Sequence, residues 1–220
     1  MLAGYEVSPG VTPTQRTKEE RDSQAALQRE IAEAYDSLKL NNLGNPAVMR
    51  AYRELAEEGT EQYESVPIKV EVWKGEGEPY AGKNMSQRMR QDVLLNNHLY
   101  IYKTEAETFG PEGVDYVGEH PLLEQSGKTD INGEPLLVND LLRAVHDYYA
   151  HSMSTAGFGP VGEEVAWKNH MVMTRSPWAR WALTTETRGQ NSWVNFRPEV
   201  KGKSLRERGF AEQKVDLLPI

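Results

Sequence analysis

Between Thr14 and Leu40 the chain places Ala26, Leu27, Ile31, Ala34, Tyr35 and Leu38 at near-helical spacing among good helix formers. The first half of that stretch is almost all charged or polar, which predicts a helix end projecting into solvent or onto a partner. The run NNLGNP at 41–46 breaks it, and Asn45 before Pro46 starts a second helix reaching about Glu64. Residues 1–66 thus read as an irregular arm, over 1–13, and an acidic helical hairpin. This appendage is expected to pack on the body, or to meet a protein partner or a second copy through residues 14–64.

The pattern then changes. Ile68, Val70 and Val72 alternate with Lys69, Glu71 and Trp73, which is the period of a strand. A short helix follows from near Ser86, and HLYIYKT at 98–104 reads as a second strand. Residues 105–136 are rich in Gly, Pro, Glu and Asp, with a turn at Asn132-Gly133, and predict a long loop of the kind that covers a site. Three closely spaced helices come next. The first spans about Asn139–Met153, with Val138, Leu141, Leu142, Val145, Tyr148 and Tyr149 as its buried stripe, and the second about Val161–Met173. The third starts at Ser176-Pro177 and reaches about Thr187. RGQNSWVNFRP then predicts a polar loop or short extended piece with Gly189 as a helix terminator, and the charged tail from Val200 predicts loose packing. The expected fold is helix-rich α+β: a small sheet and a layer of three consecutive helices in a core over 67–199, an N-terminal helical hairpin, and a C-terminal tail over 200–220.

Chemistry concentrates on the helical layer. Of the five histidines, His146, His151 and His170 fall within 25 residues, close to Asp147, Glu163, Glu164 and Glu186. In a regular α-helix His146 and His151 point about 140° apart, whereas Asp147 and His151, four apart, share a face. A one-residue helical bulge would bring the two histidines together instead. Glu163 and His170 share a face of the next helix. The expected ligand set is Asp147, His151, Glu163 and His170, with Glu186 from the third helix, and its nitrogen and oxygen donors suit a divalent Zn, Mn or Fe. His146 or a spare carboxylate, Glu164, is the expected general base, with Arg188 and Gln190 orienting substrate. The competing reading is structural: Asp147 paired with Arg143, a core His146, and Glu163 and Glu164 placed for the helix dipole.

Composition narrows the classes. There is no cysteine, so disulfides, thiolate metal sites and cysteine nucleophiles are excluded. The net charge of −8 does not favour binding to nucleic-acid backbones. No apolar run reaches the length of a membrane span, and no signal peptide is visible in the first residues. GFGPVG at 157–162 lacks the lysine and spacing of a phosphate loop.

The block NDLLRAVHDYYAHS, FGPVGEEVAWKNHM and TTETRGQNSWVNF, with MRQDVLLNNHLYIY before it, resembles a block in a family of bacteriophage and mobile-element proteins without an established activity. The resemblance covers residues 89–196 and carries no catalytic residue over. It implies a setting, the cytoplasm of an infected bacterium or a virion. The function expected is a metal-dependent hydrolase, with a non-haem iron oxygenase as a variant of the same ligands. The alternative is a structural or interaction protein that binds a partner through its N-terminal helices.

Overall fold

The computed structural model describes residues 17–105, 109, 119–204 and 207–219. The expected arm over 1–13 and most of the first half of the 105–136 loop lie outside the described residues. The fold is α+β and helix-rich, as its sequence pattern predicts, with two separate two-stranded sheets among the described residues.

Helix α1 (Lys18–Asp36) opens on a capping box: the Thr17 hydroxyl accepts from the Glu20 amide, and the Glu20 carboxylate accepts from the Thr17 amide. Helix α2 (Pro46–Tyr63) starts where Asn45 and Pro46 predict, with the Asn45 side chain accepting from the Ala47 amide at 2.9 Å. It does not stand apart from the body. Val48, Ala51, Tyr52 and Leu55 are buried in the main core cluster with Leu122, Leu142 and Leu183. Its acidic residues are used internally: Glu58 accepts from the Arg175 and Ser176 amides at 2.7 and 2.6 Å, and so caps the start of a later helix.

Strand β1 (Lys69–Val72) pairs in parallel with β2 (His98–Ile101), the crossover being α3 (Met85–Gln91) and a π turn at Asp92–Asn96. A short antiparallel pair, β3 (Gln125–Thr129) and β4 (Pro135–Leu137), occupies the second half of the expected loop. Its QSGKT strand has no apolar residue, so no alternation marks it in the sequence. The buried Asp130 carboxylate fastens this hairpin by accepting from the Asn132, Glu134 and Val72 amides.

Helix α4 (Val138–Val145) lies between two core clusters. Leu142 belongs to the cluster around α2, while Leu141 and Ala144 join Val70, Val72, Met89, Leu99 and Ile101 beneath the parallel strands. Each such buried aliphatic side chain contributes about 1.5–3 kcal/mol, so α4 is held from both sides. A π turn (His146–Ser152) continues it, and α5 (Pro160–Met173) and α6 (Pro177–Thr184) follow.

Two expectations about the C-terminal part are corrected. The segment after Gly189 is a helix, α7 (Gln190–Phe196), packed on α1, with a π turn at Thr185–Gly189 leading into it. Gly189 does not terminate a helix, because its backbone is helical and its missing Cβ makes room for Tyr35. The end of the tail is not loose: Val215 is fully buried and bridges to Asn41, and Leu218 is buried against the same side. No described helix is long and apolar enough to cross a membrane.

Candidate metal centre

The HDYYAHS segment is a π-helix. Its wider i→i+5 register puts residues five apart on one face, where an α-helix would turn them away from each other. The rings of His146 and His151 consequently meet edge to face with centroids 4.9 Å apart. Of the two geometries open to this segment, the bulged one is adopted. The Asp147–His151 pairing expected from α-helical spacing gives way to a His146–His151 pair, and His146 stands among the potential ligands instead of acting as a base beside them.

Glu163 completes the group from the first turn of α5. The chain between the two helices doubles back sharply, with Thr155 in the left-handed region at φ 65°, an uncommon conformation for a β-branched residue. At Gly162 an added Cβ would stand 1.9 Å from the Gly157 carbonyl oxygen, so only glycine lets the loop lie against the helix start. This is the structural reason for the last glycine of the GFGPVG run. The same fold-back presents the Ala156 carbonyl to His151 Nδ1 at 3.1 Å.

Glu163 Oε2 lies 3.4 Å from His151 Nε2 and 3.9 Å from His146 Nε2. The three donor atoms all fall within 4.8 Å of one another. Ligands at about 2.0–2.1 Å on a tetrahedral ion stand roughly 3.3–3.4 Å apart, so of the two edges to Glu163 one already fits and the other needs a contraction of about half an ångström, while the edge between the two histidines lies within 4.8 Å. A carbonyl can only accept, so His151 donates from Nδ1, which leaves Nε2 facing the carboxylate: a donor to it when the ring is charged, a lone pair for an ion when the ring is neutral. Two imidazoles and one carboxylate could therefore hold a divalent ion here. His151 is buried, whereas 28% of the Glu163 side chain is exposed, which leaves one side of the group open.

The electrostatics fit a cation-seeking site. Burial pushes the Glu163 carboxyl up, but its contacts with His146 and His151 outweigh this and hold it at about 2. Burial lowers His151, and the hydrogen bond and charge of Glu163 overcome that, for a net rise. Asp147 sits outside the three-ligand group yet feels His151, His146 and Glu163, and burial raises its carboxyl.

The remaining expected residues are placed elsewhere or in other roles. His170 touches His146 but is not in the converging group. Glu164 points away from this group, toward α1 and Arg188. It takes a two-pronged ion pair from Arg188, at 2.9 and 2.9 Å, and a hydrogen bond from Gln28 at 2.7 Å, and it is 5% exposed. Arg188 also stacks on Trp167, 4.2 Å from the ring centre, beside a largely apolar groove of about 540 Å³ between α1, α5 and α6. Glu186 accepts from Tyr52 at 2.5 Å and from Gln213 and Gln190, so Gln190 is also spent inside the protein. Burial raises the Glu186 carboxyl against those hydrogen bonds. Neither Glu186 as ligand, nor Glu164 as base, nor Arg188 and Gln190 as substrate-orienting groups has a counterpart in this geometry, because each is saturated by a partner within the fold.

No protein-family model, no curated protein and no solved structure matches this chain, so its chemistry is read from these residues alone.

Proposed function

We propose that the protein is a metal-dependent enzyme, a hydrolase, whose divalent ion is held by His146, His151 and Glu163. The single observation that carries this reading is the convergence of two imidazole nitrogens and a carboxylate oxygen within 4.8 Å on one partly open face. Three nitrogen and oxygen ligands with a further position left for water are the pattern of a catalytic rather than a structural zinc site. Such an ion supplies Lewis acidity, lowering the pKa of a coordinated water toward neutrality.

The chain's own groups divide the remaining work. The Ala156 carbonyl orients His151, and the buried His151 ring shields one side of the group from solvent. Asp147 adjoins the ligand His146 and feels His151, His146 and Glu163, and we assign it the role of general base. Phe158, with its ring 4.9 Å from that of His151, adds an apolar wall.

The test is hydrolysis of a panel of p-nitrophenyl esters and phosphates by metal-loaded protein, by chelated protein and by the Glu163→Gln variant. The reading requires turnover that disappears with chelation, returns with added Zn or Mn, and is absent in the variant. Turnover that chelation leaves unchanged, or that Glu163→Gln retains, contradicts it. The same ligands suit non-haem Fe(II). Iron as the tightly held ion would move the reading to oxygen chemistry.

A further inference from the structure

We infer that Gln62 and His170 form a positioning relay that fixes the tautomer of His146, presenting its Nε2 lone pair to the site formed with His151 and Glu163. This deepens the metal-site reading above and rests on it for its use, but the relay itself is a property of the metal-free chain.

The chain of hydrogen bonds leaves one consistent assignment. At its far end the Gln62 amide nitrogen donates to the Met173 carbonyl oxygen at 3.2 Å. A carbonyl has no proton to give, so the amide cannot be flipped without losing this bond, and Gln62 Oε1 must face the other way. It lies 3.1 Å from His170 Nε2, and as an acceptor it calls for a proton on that nitrogen. His170 is 1% exposed, and its ring nitrogens meet an imidazole and a neutral amide with no carboxylate to balance a charge, so the ring is neutral. With its one proton on Nε2, its Nδ1 is an acceptor. That atom stands 3.2 Å from His146 Nδ1, which must then donate. With the proton held on Nδ1, the neutral ring that an ion requires has its lone pair on Nε2, the nitrogen that faces Glu163.

His151 reaches the same tautomer by a separate route, through the Ala156 carbonyl. In their neutral forms the two ligand histidines thus both carry the proton on the nitrogen remote from Glu163, a tautomer that free histidine does not prefer. Hydrogen-bonded outer groups of this kind fix the ring and raise the basicity of a ligating imidazole, and their loss typically costs about 10- to 100-fold in metal affinity. Gln62 belongs to α2, so the N-terminal half of the chain contributes to the site through this relay.

The experiment uses full-length, uniformly ¹⁵N-labelled protein without metal, with long-range ¹H–¹⁵N correlation of the imidazoles. Recorded at a pH where the rings are neutral, the relay predicts His146 and His151 protonated on Nδ1 and His170 on Nε2. Gln62→Leu, checked for folding by circular dichroism, removes the acceptor, and His146 is expected to shift to a mixed or Nε2-protonated state while His151 stays as it was. Gln62→Glu retains an acceptor and should keep the parent pattern. Zinc affinity, measured by competition with a chromophoric chelator, should fall by about 10- to 100-fold in Gln62→Leu and not in Gln62→Glu. A merely structural role for Gln62 would move the melting temperature and leave the His146 tautomer alone. His146 protonated on Nε2 in the parent, or a tautomer unmoved by Gln62→Leu, would overturn the inference. So would a tautomer that moves with no change in zinc affinity. The predicted tautomers in a parent that binds no zinc would uphold the relay while removing the metal reading, so the two failures are distinct.

Discussion

Gly189 has ordinary helical backbone angles, and what fixes its identity is space: a Cβ there would stand 2.7 Å from Tyr35 Cδ2 and 3.1 Å from Leu218. Gly189→Ala should therefore destabilise by about 1–3 kcal/mol in urea unfolding, the usual cost of overpacking, although alanine is the better helix former. His120 offers a second test at this scale. It is buried, its Nδ1 accepts from the Leu122 amide, and burial lowers it to about 3. Between about 6.5 and 3 the unfolded chain takes up a proton that the folded chain refuses, so stability is full above 6.5 and is lost as pH falls, with a slope approaching about 1.4 kcal/mol per unit. His120→Asn retains a capping acceptor without the titration, so its stability should decline less over that window in denaturation series at matched pH. The histidines of the site were legible from their crowding on two helices. Gln62 was not: it is one polar residue on an amphipathic helix, 108 positions from the His170 it meets, and nothing local marks it.

The π turn at His146–Ser152 is the element that decides the site. From the sequence, two geometries followed from the same seven residues, and they differed in which pairs of side chains could meet. The α-helical one favours Asp147 with His151, the bulged one His146 with His151. Local propensity does not choose between them. The choice comes from packing, with α4 held between two core clusters and the following loop folded back through Gly157 and Gly162. The same lesson applies to α7, whose polar residues read as a loop but are consumed by neighbours: Ser192 hydrogen-bonds to Gln28, and Trp193 donates to Asp36 at 2.9 Å. Arg188 and Glu164 pin these elements together. Arg188→Met should leave Glu164 as a buried carboxylate without its main counter-charge and cost about 3–5 kcal/mol in chemical denaturation. If the pair is scaffold, metal content under native conditions should be unchanged, and a variant of normal stability without metal would place Arg188 back at the site.

Across the whole molecule, the segment that follows α1 and the segment around Val215 close on each other. Val215 hydrogen-bonds with Leu40 and Asn42, Tyr35 donates to the Glu212 carbonyl, and Gln213 donates to Glu186. A division into hairpin, core and tail follows naturally from composition, because long-range docking leaves no local trace in a charged segment. Removing residues 211–220 should expose the partners of Val215 and Leu218, each worth about 1.5–3 kcal/mol. The melting temperature should fall by roughly 10 °C for a chain of this size. Metal content should persist in that truncated protein, since among the described residues none of the lost contacts reaches His146, His151 or Glu163. The most direct test of the central claim is metal content by mass spectrometry on tag-free protein, beside His151→Ala and Glu163→Gln variants shown to be folded. The account predicts close to one equivalent of Zn, Mn or Fe in the parent and loss of most of it in both variants. A parent that holds no metal after incubation with each ion, or variants that retain it, would contradict the account.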